Sequence, residues 1–398
     1  MIKSTFKKFP PRLAFGKNEI SKIKEVFNYY KKRKYDPPYK GFFEQKFNLM
    51  FSKFQGGGYS CRVATGTLSY LVALQSLKLK KGSEILMSGI NDAGTLNCVI
   101  FLGFKPVLVD VTKNSFDIDL NDLRLKINKK TKAAIIAHIA GGAIKNIRET
   151  CAILKQKKIK IIEDCAQATG AKIHGKNVGN FGDIACFSTM YRKNLISGGS
   201  GGILFTKNKS LYQKILAYSD RGKPVWKKNY DVRNPGMHLF PALNLNSDEI
   251  SSAVAISSLS RLKSTIHKRY KIYLKIKKKL LSQSKVCRVY EFSGLPSIYF
   301  IPIYINKKFI NCSEEKFANK LFKRGLPCNP KYKFLMCEWN WAKKYFEKKN
   351  ITKNAIYNRN RSFNLFLNEN YTDKSVNNII KIILKVEKNL IKKSEFKN

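Results

Sequence analysis

The stretch KIKIIEDCAQATGAKIHGKNVGNFGDIACFSTMYRKNLISGGSGGILFT, residues 158–206, carries the strongest signal in the chain. A short β-branched run in it ends in Glu163 and Asp164, which predicts a buried strand with a carboxylate at its C-terminal end. A second apolar run ends at Ser188, and Lys193 follows shortly before a glycine-rich turn. Open α/β sheets bind ligands beyond the carboxyl ends of their strands. The stretch therefore predicts a ligand site that offers an acid, a hydroxyl and an amine.

An acid, a hydroxyl and an amine are the groups that bind pyridoxal phosphate. The aldehyde of this cofactor forms a Schiff base with a lysine, its pyridinium nitrogen needs a carboxylate to stay protonated, and its phosphate takes hydroxyls and backbone N–H groups. Each residue alone has a plainer explanation, because a lysine is usually a solvated charge and an aspartate after an apolar run is often a helix N-cap. Their joint spacing favours the cofactor site.

This stretch resembles the sugar aminotransferases of the DegT/StrS group, which are fold-type I pyridoxal-phosphate enzymes. Their pattern runs E-D-x-A-Q-x-x-G, then G-D-x-x-x-F-S, then the Schiff-base lysine and a glycine-rich turn, and residues 163–193 match it in type and spacing. The resemblance implies that Lys193 holds the aldehyde and that Asp164 holds the ring nitrogen. It also implies that Ser188 binds the phosphate and that Gln167 lies against the ring.

A glycine turn earlier in the chain predicts a second part of the same site. The run at residues 59–64 leads into Thr65-Gly66-Thr67 and then into an apolar helix. The unpaired N–H groups and the positive dipole end of a helix N-terminus attract an anion, although a simple helix cap would explain the same residues. The resemblance implies that Gly66 and Thr67 bind the cofactor phosphate, with Thr65 standing where the family carries Asn.

Two further candidate cofactor-binding residues lie at or beside positions where this chain departs from the family pattern. Asp92 replaces an aromatic residue that stacks on the pyridine ring, so it is either a second carboxylate beside the cofactor or a turn residue facing water. Asn244 matches an asparagine that reaches the partner's cofactor phosphate across a dimer interface, but Asn246 stands where relatives have Arg. Asn246 and Glu249 are also typical of a capping box, which predicts the start of a long helix.

The wider pattern predicts an α/β fold with a mostly parallel central sheet flanked by helices, and the resemblance implies the fold-type I architecture. Three more apolar runs are predicted strands, at residues 84–87, 106–110 and 132–140. The last of them contains His138, which we interpret as a packed residue rather than an acid–base catalyst. We expect an N-terminal region and a large cofactor-binding domain over residues 1–246, then a long connecting helix and a smaller α+β domain over residues 247–398.

The formal net charge of +49 is the strongest feature of the composition, and alone it would suggest binding to nucleic acid or to a membrane surface. The lysines are spread along the whole chain, however, and Lys, Ile and Asn are abundant together, which indicates a general compositional bias. The charge still favours anionic substrates. The alternative from another class is a non-catalytic protein that binds nucleic acid. Such a protein would need basic residues interleaved with aromatic residues along one face.

The nine cysteines are scattered without a C-x-x-C pair, which indicates reduced, mostly buried thiols. They predict neither a disulfide framework nor a zinc site, so no metal is expected. The chain has no apolar run near about eighteen residues, and its N-terminus has no apolar signal core. We expect a soluble, cytoplasmic protein without a membrane partner.

The resemblance implies an aminotransferase that moves an amino group from an amino acid, glutamate being the expected donor, to a nucleotide-linked keto-sugar. Such reactions belong to the biosynthesis of polysaccharides and modified sugars. The resemblance also implies a homodimer with shared active sites. The alternative of the same fold is a sugar dehydratase that uses the pyridoxamine form of the cofactor. Those relatives carry His in place of the lysine, so Lys193 argues against a dehydratase.

Overall fold

The computed structural model describes residues 8–347 and 350–391, and the elements named here belong to that part of the chain. The strands are β1 (Tyr59–Val63), β2 (Glu84–Ser88), β3 (Lys105–Val109), β4 (Thr131–Ala137), β5 (Lys160–Asp164), β6 (Lys172–Ile173), β7 (Lys176–Asn177), β8 (Ile184–Ser188), β9 (Gly202–Thr206), β10 (Cys287–Val289), β11 (Ile301–Ile305), β12 (Cys328–Asn329) and β13 (Ser362–Leu365). The α-helices are α1 (Lys17–Arg33), α2 (Phe42–Phe54), α3 (Gly66–Ser76), α4 (Ala93–Phe101), α5 (Leu120–Lys126), α6 (Ile147–Gln156), α7 (Lys209–Ser219), α8 (Glu249–Gln283), α9 (Glu314–Lys323), α10 (Lys353–Asn360) and α11 (Asp373–Leu390).

The large sheet joins seven strands in the order β1-β9-β8-β5-β4-β2-β3. The neighbours from β3 to β8 are parallel, whereas β9 runs antiparallel to both β8 and β1. β1 therefore points the same way as β5 and β8, and the carboxyl ends of these three strands share one edge. The mostly parallel sheet expected from the sequence is confirmed.

Helices cover both faces of this sheet because its strands are apolar on both sides. Every residue of β2, β8 and β9 is buried. One face packs against α3, α4 and α7, and the other packs against α1, α2, α5, α6 and the first half of α8. Burial on both faces is typical of the parallel sheets of α/β proteins.

A second sheet has the order β10-β11-β13-β12, and all of its pairs are antiparallel. It packs against α9, α11 and the second half of α8, and these elements form a separate cluster of buried residues. This arrangement confirms a smaller α+β unit in the C-terminal part of the chain. The boundary between residues 246 and 247 stays a prediction. The strands β12 and β13 and the helix α10 were not predicted from the sequence.

The long helix α8 connects the two sheets and begins at Glu249. Asp248 caps it by accepting a hydrogen bond of 2.7 Å from a backbone N–H of the first turn, so the predicted capping box of Asn246 and Glu249 is wrong. Glu249 instead accepts hydrogen bonds from the N–H groups of Phe43 (2.9 Å) and Glu44 (2.7 Å) at the start of α2. A buried helix N-terminus needs an acceptor, and a distant carboxylate supplies it here.

Three further expectations concern the cysteines, the end of β4 and the length and apolar character of the helices. All nine cysteines are free thiols, and most of them are buried, as expected. β4 ends at Ala137, so His138 begins the following loop instead of ending the strand. Within residues 8–347 and 350–391, no helix combines the length and the apolar character needed to cross a bilayer.

Candidate active site

The candidate site lies at the edge of the large sheet where β1, β5 and β8 end. Asp164 pairs with Cys186 across β5 and β8. Ser188 pairs with Gly202, which pairs in turn with Val63 on β1. The chain therefore enters α3 beside the end of β8. The predicted acid, hydroxyl and helix N-terminus thus meet at one place.

A close approach of Gly66 to Ser188 forms an anion cradle at the start of α3. A Cβ on Gly66 would lie 2.9 Å from the Cβ of Ser188 and 3.0 Å from its Oγ, so a larger residue would fill the space. Thr65 caps the helix by accepting a hydrogen bond from the N–H of Leu68 (3.0 Å). Within the described residues, the N–H groups of Gly66 and Thr67 donate to no acceptor, which leaves them for an anion.

Asp164 is the carboxylate of the site, and only 6% of it is exposed. Its Oδ1 accepts hydrogen bonds from the Ala166 N–H (3.0 Å) and from the Tyr70 hydroxyl. Burial raises the pKa of Asp164 above its ordinary value, while the Tyr70 hydrogen bond and the charge of Lys193 oppose that rise. No donor among the described residues reaches Oδ2, so this oxygen is available to a ligand.

Lys193 supplies the amine and is partly buried in the turn after β8. Desolvation lowers the pKa of its ammonium group to about 8, although the charges of Asp164 and Asp92 act to raise it. Its Nζ lies 4.5 Å from the centroid of the Tyr299 ring. An amine with this pKa has a neutral fraction of about one tenth at pH 7, far more than an ordinary lysine has. The neutral amine is the form that attacks an aldehyde.

The backbone of the Lys193 turn is held by Arg12, a residue that no sequence motif singles out. Its guanidinium donates to the carbonyl oxygens of Lys193 (2.6 Å), Tyr191 (3.3 Å) and Asn194 (3.3 Å). The side chain of Asn194 donates in turn to the Ser297 carbonyl (2.9 Å). Residues from distant parts of the chain therefore fix the position of this turn.

Glu369 connects Arg12 to the C-terminal part of the chain. It accepts a hydrogen bond from Arg12 Nε (3.1 Å) and two from the Arg269 guanidinium (2.9 and 2.7 Å). Burial acts to raise the pKa of Glu369, but the two guanidinium charges outweigh it and lower the pKa to about 2. Asn370 also donates to the Arg12 carbonyl (2.9 Å). Residues 8–12, which we call the N-terminal arm, are thus bound to the loop before α11.

Gln167 connects the site to an aromatic wall. Its Oε1 accepts a hydrogen bond from the Ala140 N–H (2.9 Å), and its Nε2 donates to the Tyr332 hydroxyl (3.3 Å). Neighbouring rings with centroids 5.1 to 5.8 Å apart form the wall, namely Tyr299, Phe300, Tyr332 and Phe334. These rings come from segments far from the cofactor motif, and no local sequence pattern identifies them.

His138 is a packed residue behind the site, as expected. Its Nδ1 accepts a hydrogen bond from the Ile144 N–H (3.2 Å), which leaves the Nε2 proton for Glu163 (3.1 Å). Glu163 also accepts the N–H groups of residues 179, 181 and 182, each at 2.7 Å. Burial acts to raise the pKa of Glu163, but these donors lower it. The compact group of His138, Glu163 and Cys165 therefore has its carboxylate occupied by protein donors.

Asp92 and Asn244, the two less regular candidates, lie in different surroundings. Asp92 is exposed and caps α4 by accepting a hydrogen bond from the Gly94 N–H (2.9 Å), yet its charge acts on Lys193. It is therefore both a turn residue and a carboxylate near the amine. Asn244 is exposed, and its Oδ1 accepts hydrogen bonds from Asn246 (3.3 and 2.8 Å). Within the described residues its side chain makes no hydrogen bond to Lys193, so its part in a cofactor site stays a prediction.

Known proteins share this sequence pattern and this fold. The pattern of the DegT/DnrJ/EryC1/StrS aminotransferase family matches residues 21–384. The GDP-perosamine synthase of Escherichia coli O157:H7 is 29% identical over 233 residues, which cover 58% of this chain and 62% of that protein. The match to this curated relative thus spans less than two thirds of its length.

Solved structures are similar over nearly the whole chain. The aminotransferase of Psychrobacter cryohalolentis has a TM-score of 0.87 at 22% identity, covering 96% of this chain and 99% of that one. A GDP-4-keto-6-deoxymannose-3-dehydratase with a trapped PLP-glutamate geminal diamine has a TM-score of 0.83 at 20% identity, covering 94% of this chain and 100% of that one. At these identities the likeness establishes the fold, which is the expected fold-type I architecture. With the family pattern matched across most of its length, the chain belongs to the DegT/DnrJ/EryC1/StrS aminotransferase family.

Proposed function

We propose that this protein is a pyridoxal-phosphate-dependent aminotransferase that transfers an amino group from an amino acid, with glutamate as the expected donor, to a nucleotide-linked keto-sugar. One observation carries the proposal: the Lys193 amine, the Asp164 carboxylate and the Gly66–Ser188 cradle lie at one edge of the sheet. Membership of the family supports the reaction class. The relative named GDP-perosamine synthase supports a nucleotide-linked sugar as the substrate.

The residues present fit the cofactor. The cradle at Gly66, which a Cβ would fill, offers space and N–H donors to the phosphate, with the Ser188 hydroxyl beside it. Asp164 Oδ2, which lacks a donor from the described residues, would hold the ring nitrogen, and Lys193 would hold the aldehyde covalently. Gln167 and Asp92 complete the proposed binding residues. When bound, pyridoxal phosphate supplies an electron sink for the negative charge that develops on the α-carbon of the substrate.

Lys193 and Asp164 divide the handling of protons in this proposal. The Lys193 amine, whose pKa is about 8, is basic enough to take a proton from the α-carbon of the donor and to return one during the opposite half of the reaction. Asp164 keeps a proton on the ring nitrogen by remaining ionised. The Tyr299 ring beside Nζ keeps water away from one side of the amine.

The charge and the exposed residues of the chain support the remaining parts of the proposal. A net charge of +49 favours an anionic nucleotide sugar, and the even spread of lysines disfavours a dedicated nucleic-acid partner. The exposed Asn244 is free to reach a second copy, so we infer a homodimer with shared active sites. The free thiols fit a reducing cytoplasm.

The test is to mix the purified protein with pyridoxal phosphate, record the absorbance, and reduce the mixture with borohydride. Peptide mapping should find the reduced adduct on Lys193, and glutamate should bleach the absorbance. A panel of keto-sugar nucleotides then identifies the acceptor by mass. The exposed Lys207, as the Lys207→Ala variant, is the matched control.

An adduct elsewhere, or none, would overturn the cofactor assignment. A sugar product that has lost a hydroxyl without gaining an amine would identify the dehydratase instead.

A further inference from the structure

The structure assigns a positioning role to Tyr70, a residue one helical turn beyond the anion cradle. Tyr70 is 4% exposed, and its hydroxyl donates to Oδ1 of Asp164. α3 thus contacts the site at two points. Its N-terminus lies at the anion cradle, and Tyr70 donates a hydrogen bond to the carboxylate of Asp164. We propose that Tyr70 acts through Asp164 to keep a proton on the ring nitrogen of the cofactor, an inference that rests on the proposed function.

The first step of the argument is orientation. Oδ1 of Asp164 receives two donors, the Tyr70 hydroxyl and the Ala166 N–H (3.0 Å). Both donors contact the same oxygen, so they fix the plane of the carboxylate and leave Oδ2 as its free atom among the described residues. Hydrogen bonds to an ionised group are stronger than neutral ones, and more so in a buried site. Tyr70 and Ala166 therefore direct Oδ2 toward the ligand.

The second step concerns the proton. Burial makes the Asp164 carboxylate more basic, and the Tyr70 hydrogen bond opposes that change. Burial and the charge of Asp164 raise the pKa of Tyr70 well above its ordinary value, so Tyr70 stays a neutral donor. Without that donor the carboxylate would compete better for the proton on the ring nitrogen. The proton would then move from the nitrogen to Oδ2, both charges would be cancelled, and the electron sink would weaken.

No other titratable neighbour of Asp164 in the part of the chain that the structure describes donates a hydrogen bond to it. The groups that interact with its charge are Tyr70, Asp92, Cys165, Cys186, Lys193 and Tyr332. Burial raises the pKa of the thiols of Cys165 and Cys186 well above the ordinary range, so both remain neutral. Lys193 is committed to the aldehyde in the proposed function. Tyr332 also interacts with this charge, but its hydroxyl is hydrogen-bonded to Gln167. Among the described residues, Tyr70 is thus the side chain that donates a hydrogen bond to Asp164.

The test is the Tyr70→Phe variant loaded with pyridoxal phosphate that is labelled with ¹⁵N in its ring. The ¹⁵N signal should have the position of a protonated nitrogen in the wild type and should move toward the neutral position in the variant. The half-reaction with glutamate should slow by about 10- to 100-fold, the range of a hydrogen bond to a charged group. Tyr30→Phe is the matched control, because Tyr30 is also buried and donates to a carboxylate, that of Glu249 (2.5 Å), outside the site.

The outcomes separate the possible explanations. A variant with an unchanged nitrogen signal and slower turnover would show that Tyr70 only packs, which would overturn the proposal while leaving the enzyme assignment intact. A neutral nitrogen in the wild type would overturn it without any variant, so the test does not depend on Tyr70→Phe being stable. If the wild type formed no adduct at Lys193, both the proposed function and this inference would fall.

Discussion

The two halves of the candidate site are built in different ways. The Asp164 half is part of the large sheet. Glu163 beside it accepts hydrogen bonds from the backbone N–H groups of residues 179, 181 and 182, and Ala166 donates to Asp164 from two residues away. The Lys193 half is a turn whose backbone accepts hydrogen bonds from Arg12, and Arg12 also donates a hydrogen bond to Glu369. The acid is placed by the strands of the sheet, by the nearby Ala166 and by Tyr70 of α3. The amine is placed by a turn whose anchor, Arg12, is bound to Glu369, a residue far away in the sequence.

This difference indicates which substitutions should unfold the protein and which should only misplace a group. The surroundings of Asp164 belong to the buried core, so damage there costs stability as well as function. Arg12 of the N-terminal arm is only partly buried, and the main effect of its loss should be on the position of Lys193. Small errors in the position of a reacting group can cost large factors in rate.

The strongest test of the amine half is Lys193→Ala. The variant should lose the borohydride-trapped adduct, and transamination should fall by at least about 10⁴-fold, because both the covalent attachment and the proton carrier are lost. Product formation measured by mass spectrometry checks the size of the loss. Equal activity in Lys193→Ala and in the Lys207→Ala control would exclude Lys193 from the chemistry.

The corresponding test of the acid half is Asp164→Asn. We expect pyridoxal phosphate to bind still, through the cradle and Lys193, while the half-reaction with glutamate slows by about 10²- to 10⁴-fold. If Asp164 were only a helix cap, asparagine would cap about as well, and both the melting temperature and the rate should stay nearly unchanged. Unchanged rates in a stable variant would leave the cofactor site without its acid.

Arg12→Ala separates the two halves most directly. The turn should loosen without loss of the core, so turnover should fall by about 10- to 100-fold while the free energy of unfolding changes by about 1 to 2 kcal/mol. Hydrogen exchange of the amides around Lys193 should become faster, in the protein without cofactor as well. Arg33→Ala, at an exposed position at the end of α1, is the control. If hydrogen exchange of these amides stayed as slow in Arg12→Ala as in the wild type, the turn would keep its conformation without Arg12.

The smallest effect on turnover should come from Glu369→Gln, and its signature is a dependence of stability on pH. The pKa of Glu369 is about 2 in the folded protein against 4.5 ordinarily, so its contribution is present above about pH 4.5 and is lost as the pH falls toward 2. At pH 7 the variant should lose about 2 to 3 kcal/mol of unfolding free energy. Urea titrations at pH 7 and pH 4 should show the gap narrowing with acid, and a constant gap would contradict this account.

The sheet and the acid half could be predicted because their signals are local. An apolar run ending in Asp164 and another ending in Ser188 are enough to place both residues at one sheet edge, since parallel strands end together. The start of α3 at Gly66 follows from the same kind of pattern. These elements carry their own evidence in a few consecutive residues.

The remaining contacts could not be predicted because they join distant segments. Arg12 and Glu369 look like ordinary surface charges until the fold brings them together. Tyr70 looks like one more apolar residue of a buried helix. The capping box was wrongly predicted for the same reason. Glu249 fits a local motif, but its carboxylate accepts hydrogen bonds from backbone N–H groups at the start of α2, which is distant in sequence.

The bond between Arg12 and Glu369 spans 357 positions, and it has a consequence for the order in which a ribosome makes the protein. Arg12 is synthesised before Glu369, and all seven strands of the large sheet are synthesised between them. A nascent chain can therefore form the large sheet while its lysine turn still lacks an anchor. A chain released before residue 369 would contain the strands of the large sheet but lack the acceptor for Arg12, so we expect it to hold Lys193 loosely. The ability to capture an aldehyde would then report that synthesis had passed residue 369.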